Sequence, residues 1–403
     1  MDRVFRAAAV AFLSGLVCAP AAVAAPAYES NSVIVKYADG ASSPKRSLVE
    51  RAAGVLQKLG HITGVGAQLV RVTGDPAKVA ARLNRSGAVV YAEPNYIYRA
   101  TATPNDPLFR NQYALDNPAD VDIDAPEAWE TLGAGAFSTT LNGAKIGIVD
   151  TGIQAAHEDL AGAGKVANCA GVRSFGMLLG LFADPTIVPN KCTDDNGHGT
   201  HVAGTAAAWT NNGRGIAGVA SNSPLAICKA LDSAGAGAVA AVANCIMYLA
   251  NNGAKVISLS LGGPSSTTLK NAVSAASRSS LIVAASGNGG NGTLNYPAAY
   301  SEVVSVAAVD RSGARASFST FNDDVEIAAP GVDIVSTWNN GAYNTISGTS
   351  MATPHVAGVA AIIAGRGGSP ADWRSKLDAS VEGPGGRSPE IGFGRVNLAK
   401  AVS

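Results

Sequence analysis

The stretch Gly253-Ala-Lys-Val-Ile-Ser-Leu-Ser-Leu-Gly-Gly263 holds a short apolar run, Lys255 to Leu259, that opens and closes on glycine. The same pattern recurs at Lys145-Ile-Gly-Ile-Val149, Leu225-Ala-Ile-Cys228, Leu281-Ile-Val-Ala284, Val303-Val-Ser-Val306 and Val325-Glu-Ile327, and Ala238 to Ala250 and Val356 to Ala364 read as helices. A strand that is apolar throughout has no face for water, so it is covered on both sides. Such runs alternating with helices predict an α/β fold: a mostly parallel sheet with helices on both faces. Sites in these sheets form beyond the carboxyl ends of the strands, so the residues just after the runs are the first candidates for chemistry.

Upstream of residue 100 the rhythm differs. Val33-Ile-Val35 is β-branched, Ser47 to Leu59 has Leu48, Ala52, Val55, Leu56 and Leu59 at helical spacing, and Gln68 to Val72 alternates. Asp75-Pro76 opens a second helix, and Ala88 to Tyr91 is a further strand. Residues 28–100 therefore read as a separate small α+β unit. Thr101 to Pro107 is a polar, proline-containing linker, the kind of segment that proteases cut.

Arg3 and Arg6 precede an apolar run from Ala7 to Ala19, and Ala22-Val-Ala24 supplies small residues at cleavage spacing. Residues 1–24 read as a secretory signal peptide, too short to span a bilayer. Val17 is too large for the position before a lipid-anchored Cys18. No later run is long enough for a membrane span, so an exported protein with no membrane association after signal removal is expected, in the periplasm or the medium. The 403 residues are 47% hydrophobic and 15% charged, with 30 basic and 30 acidic side chains and no net charge. That composition supports a large core and gives no polyanion-binding surface, so nucleic acid is not an expected partner. Of the 5 cysteines, Cys18 leaves with the signal. Cys169, Cys192, Cys228 and Cys245 allow three pairings in an oxidising compartment; nearness in sequence favours Cys169–Cys192 and Cys228–Cys245.

Glycine-rich segments carry the polar signatures: Ile148-Val-Asp-Thr-Gly152, Asn196-Gly-His-Gly-Thr-His-Val-Ala-Gly204 and Gly348-Thr-Ser-Met-Ala-Thr-Pro-His355. Singly, Asp150 is a helix cap, His198 a core histidine and Ser350 an N-cap. Jointly they supply what a serine nucleophile needs: an imidazole to take its proton and a carboxylate to fix the imidazole's tautomer. Ser350 opens a predicted helix, whose N-terminus offers N–H groups to an oxyanion. Asn288, in Ala284-Ala-Ser-Gly-Asn288 after an apolar strand, adds an amide donor.

The order Asp150, His198, Asn288, Ser350 and the blocks Val149-Asp-Thr-Gly-Ile153, Gly197-His-Gly-Thr-His-Val-Ala-Gly204 and Gly348-Thr-Ser-Met-Ala-Thr-Pro-His-Val-Ala-Gly358 resemble the subtilisin-like serine proteases, or subtilases. Asn211 to Gly263 resembles their thermitase branch, and the N-terminal unit resembles the family's inhibitory propeptide, a ferredoxin-like α+β domain. The resemblance implies a catalytic domain over 108–403, a mature N-terminus within 101–107, and a monomeric, self-processing zymogen that acts on polypeptides and is inhibited by its own propeptide. It implies a substrate pocket walled by Ser260, Leu261 and Gly262 on one side and Ala285, Ser286 and Gly287 on the other. Gly235, Ala236 and Gly237 would form an edge strand that pairs with extended substrate. It also implies a structural Ca²⁺ held by Asp106, Asp159 and Asn212, with backbone carbonyls from Thr210, Arg214 and Ile216. Arg214 alternatively points to solvent or replaces the ion's charge. Asp194-Asp195 reads as solvated surface charge, with a weaker ion site as the alternative. Asp150 and His198 lie further apart than in the thermitase type, which places an insertion between Gly162 and Lys191; its Met177-Leu-Leu-Gly-Leu-Phe182 run is apolar for a loop.

Three rival readings remain at this stage. Val149-Asp-Thr-Gly152 resembles an aspartic-protease signature, but no second copy exists to share the proton. His198 and His201 lack the intervening glutamate of a zinc-protease helix. A catalytically silent secreted binding module on the same fold is the third.

Overall fold

The computed structural model describes residues 28–96, 103–132, 143–175, 183–383 and 385–403. The expected signal peptide, the expected cut near residues 100–102 and the run 177–182 lie outside the described residues. The chain forms two compact units, one up to residue 100 and one from residue 101.

The first unit runs β1 (Tyr28–Tyr37), α1 (Ser43–Ala53), β2 (Val55–Ile62), β3 (Ala67–Val72), α2 (Pro76–Asn84), β4 (Val89–Tyr96). Its antiparallel sheet has the order β2-β3-β1-β4, the ferredoxin-like βαββαβ arrangement. Val33, Val35, Val70 and Val79 form its core. The helical spacing over Ser47–Leu59 is misleading beyond Ala53. Gly54 takes a left-handed φ of 91° and caps α1, a conformation that ends helices, and the chain continues as β2. Leu56, 63% exposed, therefore lies on a strand rather than on a buried helical stripe.

The second unit is built on a 10-stranded sheet in the order β15-β16-β12-β11-β10-β9-β5-β8-β6-β7. The apolar runs become β5 (Ile146–Asp150), β8 (Leu225–Lys229), β9 (Val256–Leu259), β10 (Leu281–Ala285) and β11 (Val303–Val309), while the run at Val325 shares only Ile327 with β12 (Ile327–Pro330); all six strands are parallel. The sheet continues through β6 (Val166–Ser174) and β16 (Arg395–Val396), and only β7 (Asp184–Pro189) and β15 (Val381–Glu382), at the two edges, run antiparallel. One face is covered by α3 (Ala125–Thr131), α4 (His198–Ala207), α7 (Thr349–Gly365), α8 (Pro370–Ala379) and α9 (Leu398–Val402), through residues such as Trp129, Val202, Val356, Trp373 and Leu398. The other is covered by α5 (Val239–Asn251) and α6 (Thr267–Ala276), through Ile246, Leu249 and Val273. A hairpin of β13 (Ile334–Thr337) and β14 (Tyr343–Ile346) stands apart from the sheet.

Chain order switches direction across β5: the chain passes to β8 on one side and then to β9 on the other. Such a point opens a crevice at the carboxyl ends of the strands. Asp150 ends β5, and Ser260 and Ser286 directly follow β9 and β10. Cys169 pairs with Cys192 and Cys228 with Cys245, tying the base of the β6–β7 hairpin and joining β8 to α5.

Candidate active site

Asp150 is fully buried at the end of β5. His198 Nδ1 lies 2.8 Å from its Oδ1 and 3.0 Å from its Oδ2. With Nδ1 carrying the proton toward the carboxylate, Nε2 keeps its lone pair, and the ring lines an open cleft. His198 is the first residue of α4, and Gly197 before it has φ 115°. A Cβ at Gly197 would lie 2.3 Å from the Trp338 ring, so only glycine brings the histidine into this turn.

Asp194 is not solvated surface charge. It is 5% exposed, and its carboxylate is a hub. Oδ1 accepts from Thr151 Oγ1 at 2.8 Å, Asn196 N at 3.0 Å and Gly197 N at 2.9 Å. Oδ2 accepts from Thr200 N at 2.9 Å and Thr200 Oγ1 at 2.6 Å. The residue after Asp150 and the residue before His198 are thus held by one side chain. Burial works against its charge, but these bonds outweigh it and keep the Asp194 carboxyl below the usual range.

Burial likewise opposes a charged His198, yet the charge and hydrogen bond of Asp150, with Asp194 beyond, hold its pKa above the ordinary histidine value. His201 and His355 are different. Burial pushes them down to about 3 and about 4 respectively, and His201 Nε2 lies 2.9 Å from the Ile334 carbonyl rather than turning toward His198. Of these three rings, only His198 is held above the ordinary histidine value.

Ser350 is the second residue of α7. Its hydroxyl donates to the Ser260 carbonyl at 3.3 Å, and no hydrogen bond joins it to His198 in this structure. Pro354 sits inside α7. It has no N–H for the carbonyl four residues back, which is that of Ser350; the Ser260 hydroxyl donates there instead, at 2.8 Å. Asn288 Oδ1 accepts from both the N–H and the hydroxyl of Thr349, each at 2.9 Å. With its oxygen so occupied, the Asn288 amide NH₂ is the free end. The Asn288 Nδ2 and Ser350 N atoms lie 3.5 and 3.6 Å from the point a Cβ on Gly348 would take, so both nitrogens border the space that glycine leaves.

A cleft of about 590 Å³ is lined by His198, Gly235, Ala236, Gly237, Ser260, Leu261 and Gly262, together with Leu231 and Tyr296. Ala285, Ser286 and Gly287 do not line it; Ser286 is buried and donates to the Thr320 carbonyl. The two expected walls are linked by Asn295, which sequence reasoning missed: a Cβ on Gly262 would lie 2.0 Å from its amide, and one on Gly287 3.3 Å from its Cβ. Gly235 to Gly237 belong to no assigned strand here: Gly235 N donates to Asp232 O, closing a turn over 232–235, and Asp232 N donates to Ala236 O.

Asp106 and Asp159 are buried, and neither forms an ion pair among the described residues. Asp106 accepts from Asn211 N at 2.7 Å and Asn212 N at 3.0 Å; burial and the Asp159 charge, against these bonds, push its carboxyl up. Asp159 accepts from Asn212 Nδ2, Ile216 N and the Tyr343 hydroxyl, each at 2.9 Å. Tyr343 is a member of this cluster that the motifs did not reveal. No group of three or more His, Cys, Asp or Glu side chains suited to a metal occurs among the described residues. A cation between these two carboxylates would therefore take amide and carbonyl oxygens as well. Two buried carboxylates without a counter-charge suit that donor set.

The profile of the subtilase family matches residues 142–394. The chain belongs to the subtilase family. A second profile, the fervidolysin N-terminal prodomain, matches residues 19–95, so this subtilase carries a prodomain ahead of its peptidase domain. Thermitase of Thermoactinomyces vulgaris is 45% identical over 305 residues, covering 74% of this chain and 99% of that protein. The thermophilic serine proteinase of Bacillus sp. strain AK1 is 37% identical over 381 residues, covering 94% of this chain and 88% of its own. Among solved structures, a protease of Pseudoalteromonas arctica superposes with a TM-score of 0.64 at 31% identity, over 75% of this chain and 99% of that one. This subtilase is a serine endopeptidase with the subtilisin-like fold.

Proposed function

We propose that this subtilase is a secreted endopeptidase in which Ser350 is the nucleophile, His198 the general base and acid, Asp150 its orienting carboxylate, and Asn288 with the Ser350 N–H the oxyanion hole. The observation that carries the reading is the Asp150–His198 pair at 2.8 Å, at the carboxyl end of β5, in a cleft also lined by Ser260, the hydrogen-bond partner of Ser350. In this reading the Ser350 hydroxyl leaves the Ser260 carbonyl for His198 Nε2. The proton passes to Nε2 as Oγ bonds to the scissile carbonyl carbon, and the oxygen, now negative, accepts from Asn288 and Ser350 N–H. The imidazolium returns that proton to the departing amine, leaving an acyl-serine. Water, deprotonated by His198, then releases the acid and restores the hydroxyl. Asp150 stays ionised throughout. Leu231, Gly235–Gly237 and Leu261 offer small and apolar walls, which suits broad side-chain preference.

A fluorophosphonate, which an activated serine attacks at phosphorus to give a phosphonate ester and fluoride while a resting serine does not, tests this directly. Labelling at Ser350 is expected; absence of labelling in folded, processed protein would return the silent-module reading. Because His198 titrates above the ordinary histidine value of about 6.5, kcat/KM should climb with pH along a limb centred above that value. A pH–rate profile with its maximum in acid would remove His198 as the base.

The N-terminal unit serves as an inhibitory propeptide in this reading. It is joined to the catalytic domain by the linker, and a tethered segment reaches a local concentration of order millimolar. One intramolecular cut near residues 100–102 follows. Ca²⁺ is the structural ion, held by Asp106, Asp159 and Asn212 with carbonyls from Thr210, Arg214 and Ile216; it offsets two buried charges and takes no part in the chemistry. A metal bound to the folded state alone adds about 2.7 kcal/mol at a hundredfold excess over its Kd. Chelation should lower the thermal midpoint and speed self-digestion, and Asp159→Ala should lose that sensitivity. An unchanged midpoint in chelated wild type would remove the site.

A further inference from the structure

Lys229 ends β8, one strand from Asp150 and in register with it. Lysines are seldom buried without partners, and this one is 5% exposed. Its ammonium has three protons and three acceptors: Thr151 O at 2.6 Å, Asp195 Oδ1 at 2.7 Å and Leu231 O at 2.8 Å. The Phe175 ring lies over it, 5.2 Å from Nζ to the centroid.

The three acceptors belong to three parts of the site. Thr151 follows Asp150, and its hydroxyl donates to Asp194. Asp195 lies between Asp194 and His198 in the turn that Asp194 organises. Leu231 lines the cleft, heads the segment leading to Gly235–Gly237, and donates its N–H to the Asp150 carbonyl at 3.1 Å. Around His198 stand the buried anions Asp150 and Asp194 and the neutral ring of His201, with the half-exposed Asp195 further out. Lys229 brings positive charge to this acidic neighbourhood.

We propose that Lys229 is a positioning residue of the hydrolytic site: one buried ammonium holds the Asp150 turn, the turn before His198 and the start of the substrate-binding segment in register. The inference rests on the catalytic reading of Asp150, His198 and Ser350 given above. A neutral hydroxyl has one proton and cannot satisfy three convergent oxygens, and a methionine satisfies none. Without the ammonium, two buried carbonyls lose their donor and the segments they belong to can drift. Small misplacements at a reacting centre cost rate steeply, up to about a hundredfold for 1 Å.

The test compares wild type, Lys229→Met and Lys229→Arg, each produced as the full chain and matured, with active sites counted by fluorophosphonate. For Lys229→Met, kcat/KM per titrated site is expected to fall about tenfold or more. Its ascending pH limb should move to higher pH, because removing a cation near Asp150 and Asp194 stabilises the His198 imidazolium. Lys229→Arg keeps the charge and should keep the limb in place, while its planar head, which cannot reproduce the three bonds, lowers kcat/KM several-fold. A Lys229→Met enzyme with a lower thermal midpoint but wild-type kcat/KM and limb would overturn the proposal, since a merely structural lysine predicts that pattern. Should Lys229→Met yield no titratable sites, Lys229→Arg decides: wild-type kcat/KM there overturns it, and a fall with an unmoved limb supports it. Failure of wild type to label at Ser350 removes the hydrolytic reading and this inference with it. Normal wild-type labelling beside an unaltered Lys229→Met removes this inference alone.

Discussion

Full-length chain carrying Ser350→Ala is expected to lose peptidase turnover by about six orders of magnitude, a scale taken from subtilisin itself, where serine and histidine act as a unit. The residual rate would come from substrate binding and the oxyanion donors, which the substitution leaves in place. Ser350 is well placed for a clean test. Its side chain makes one hydrogen bond, 3.3 Å to the Ser260 carbonyl, while the fold-bearing bond at this point is the Ser260 hydroxyl on the Ser350 backbone carbonyl, which alanine keeps. Thermal stability should therefore stay near wild type, and the loss should lie in chemistry. The same variant tests maturation. In a host lacking other proteases able to cut the linker, wild type should yield a product beginning between Thr101 and Asn105, and Ser350→Ala a species that keeps the N-terminal unit. N-terminal sequencing reads the difference, and a Ser350→Ala chain trimmed as efficiently as wild type would defeat self-processing.

What the sequence disclosed follows from how locally each feature is encoded. The parallel sheet was legible because strands buried on both faces are apolar throughout, and β5, β8, β9, β10 and β11 are such runs. Asp150, His198, Asn288 and Ser350 were legible as candidates because each sits in a short glycine-containing motif at or just beyond the terminus of an element. β6 and β7 escaped notice because they lie toward one edge of the sheet and mix polar with apolar residues, so their period is indistinct. Asp194 and Lys229 escaped for another reason. In sequence, one is the first acid of Asp194-Asp-Asn-Gly197 and the other a lysine closing an apolar run, and both patterns ordinarily mean solvent. Their burial depends on partners far along the chain: Thr151 is 43 residues from Asp194 and 78 from Lys229. Tyr343 meets Asp159 across 184 residues. No window of local sequence carries such contacts, and they surround the residues that local motifs make obvious.

Asn288→Ala is expected to lower kcat by about a hundred- to a thousandfold, a magnitude again drawn from subtilisin, with KM changed little. The asymmetry follows from where the charge is. A substrate carbonyl in the ground state is a weak acceptor, so losing one donor barely alters binding; the tetrahedral oxyanion is a strong one, and the loss is felt there. The amide's orientation makes the prediction specific. Asn288 Oδ1 is held by the N–H and hydroxyl of Thr349, and Thr349 lies next to Ser350 on the first turn of α7. The oxygen end of the side chain is fixed before substrate arrives, and its NH₂ and the Ser350 N–H lie near the same open point beside Gly348, so the proposed oxyanion hole needs little reorganisation. Asn288→Asp provides the complement. A carboxylate keeps both Thr349 bonds but presents an acceptor and a negative charge where the oxyanion forms, so kcat should fall below that of Asn288→Ala. Fluorophosphonate titration of both variants normalises the rates to competent sites. A loss that appeared mainly in KM, or an aspartate variant faster than alanine, would show that Asn288 binds substrate and not the transition state.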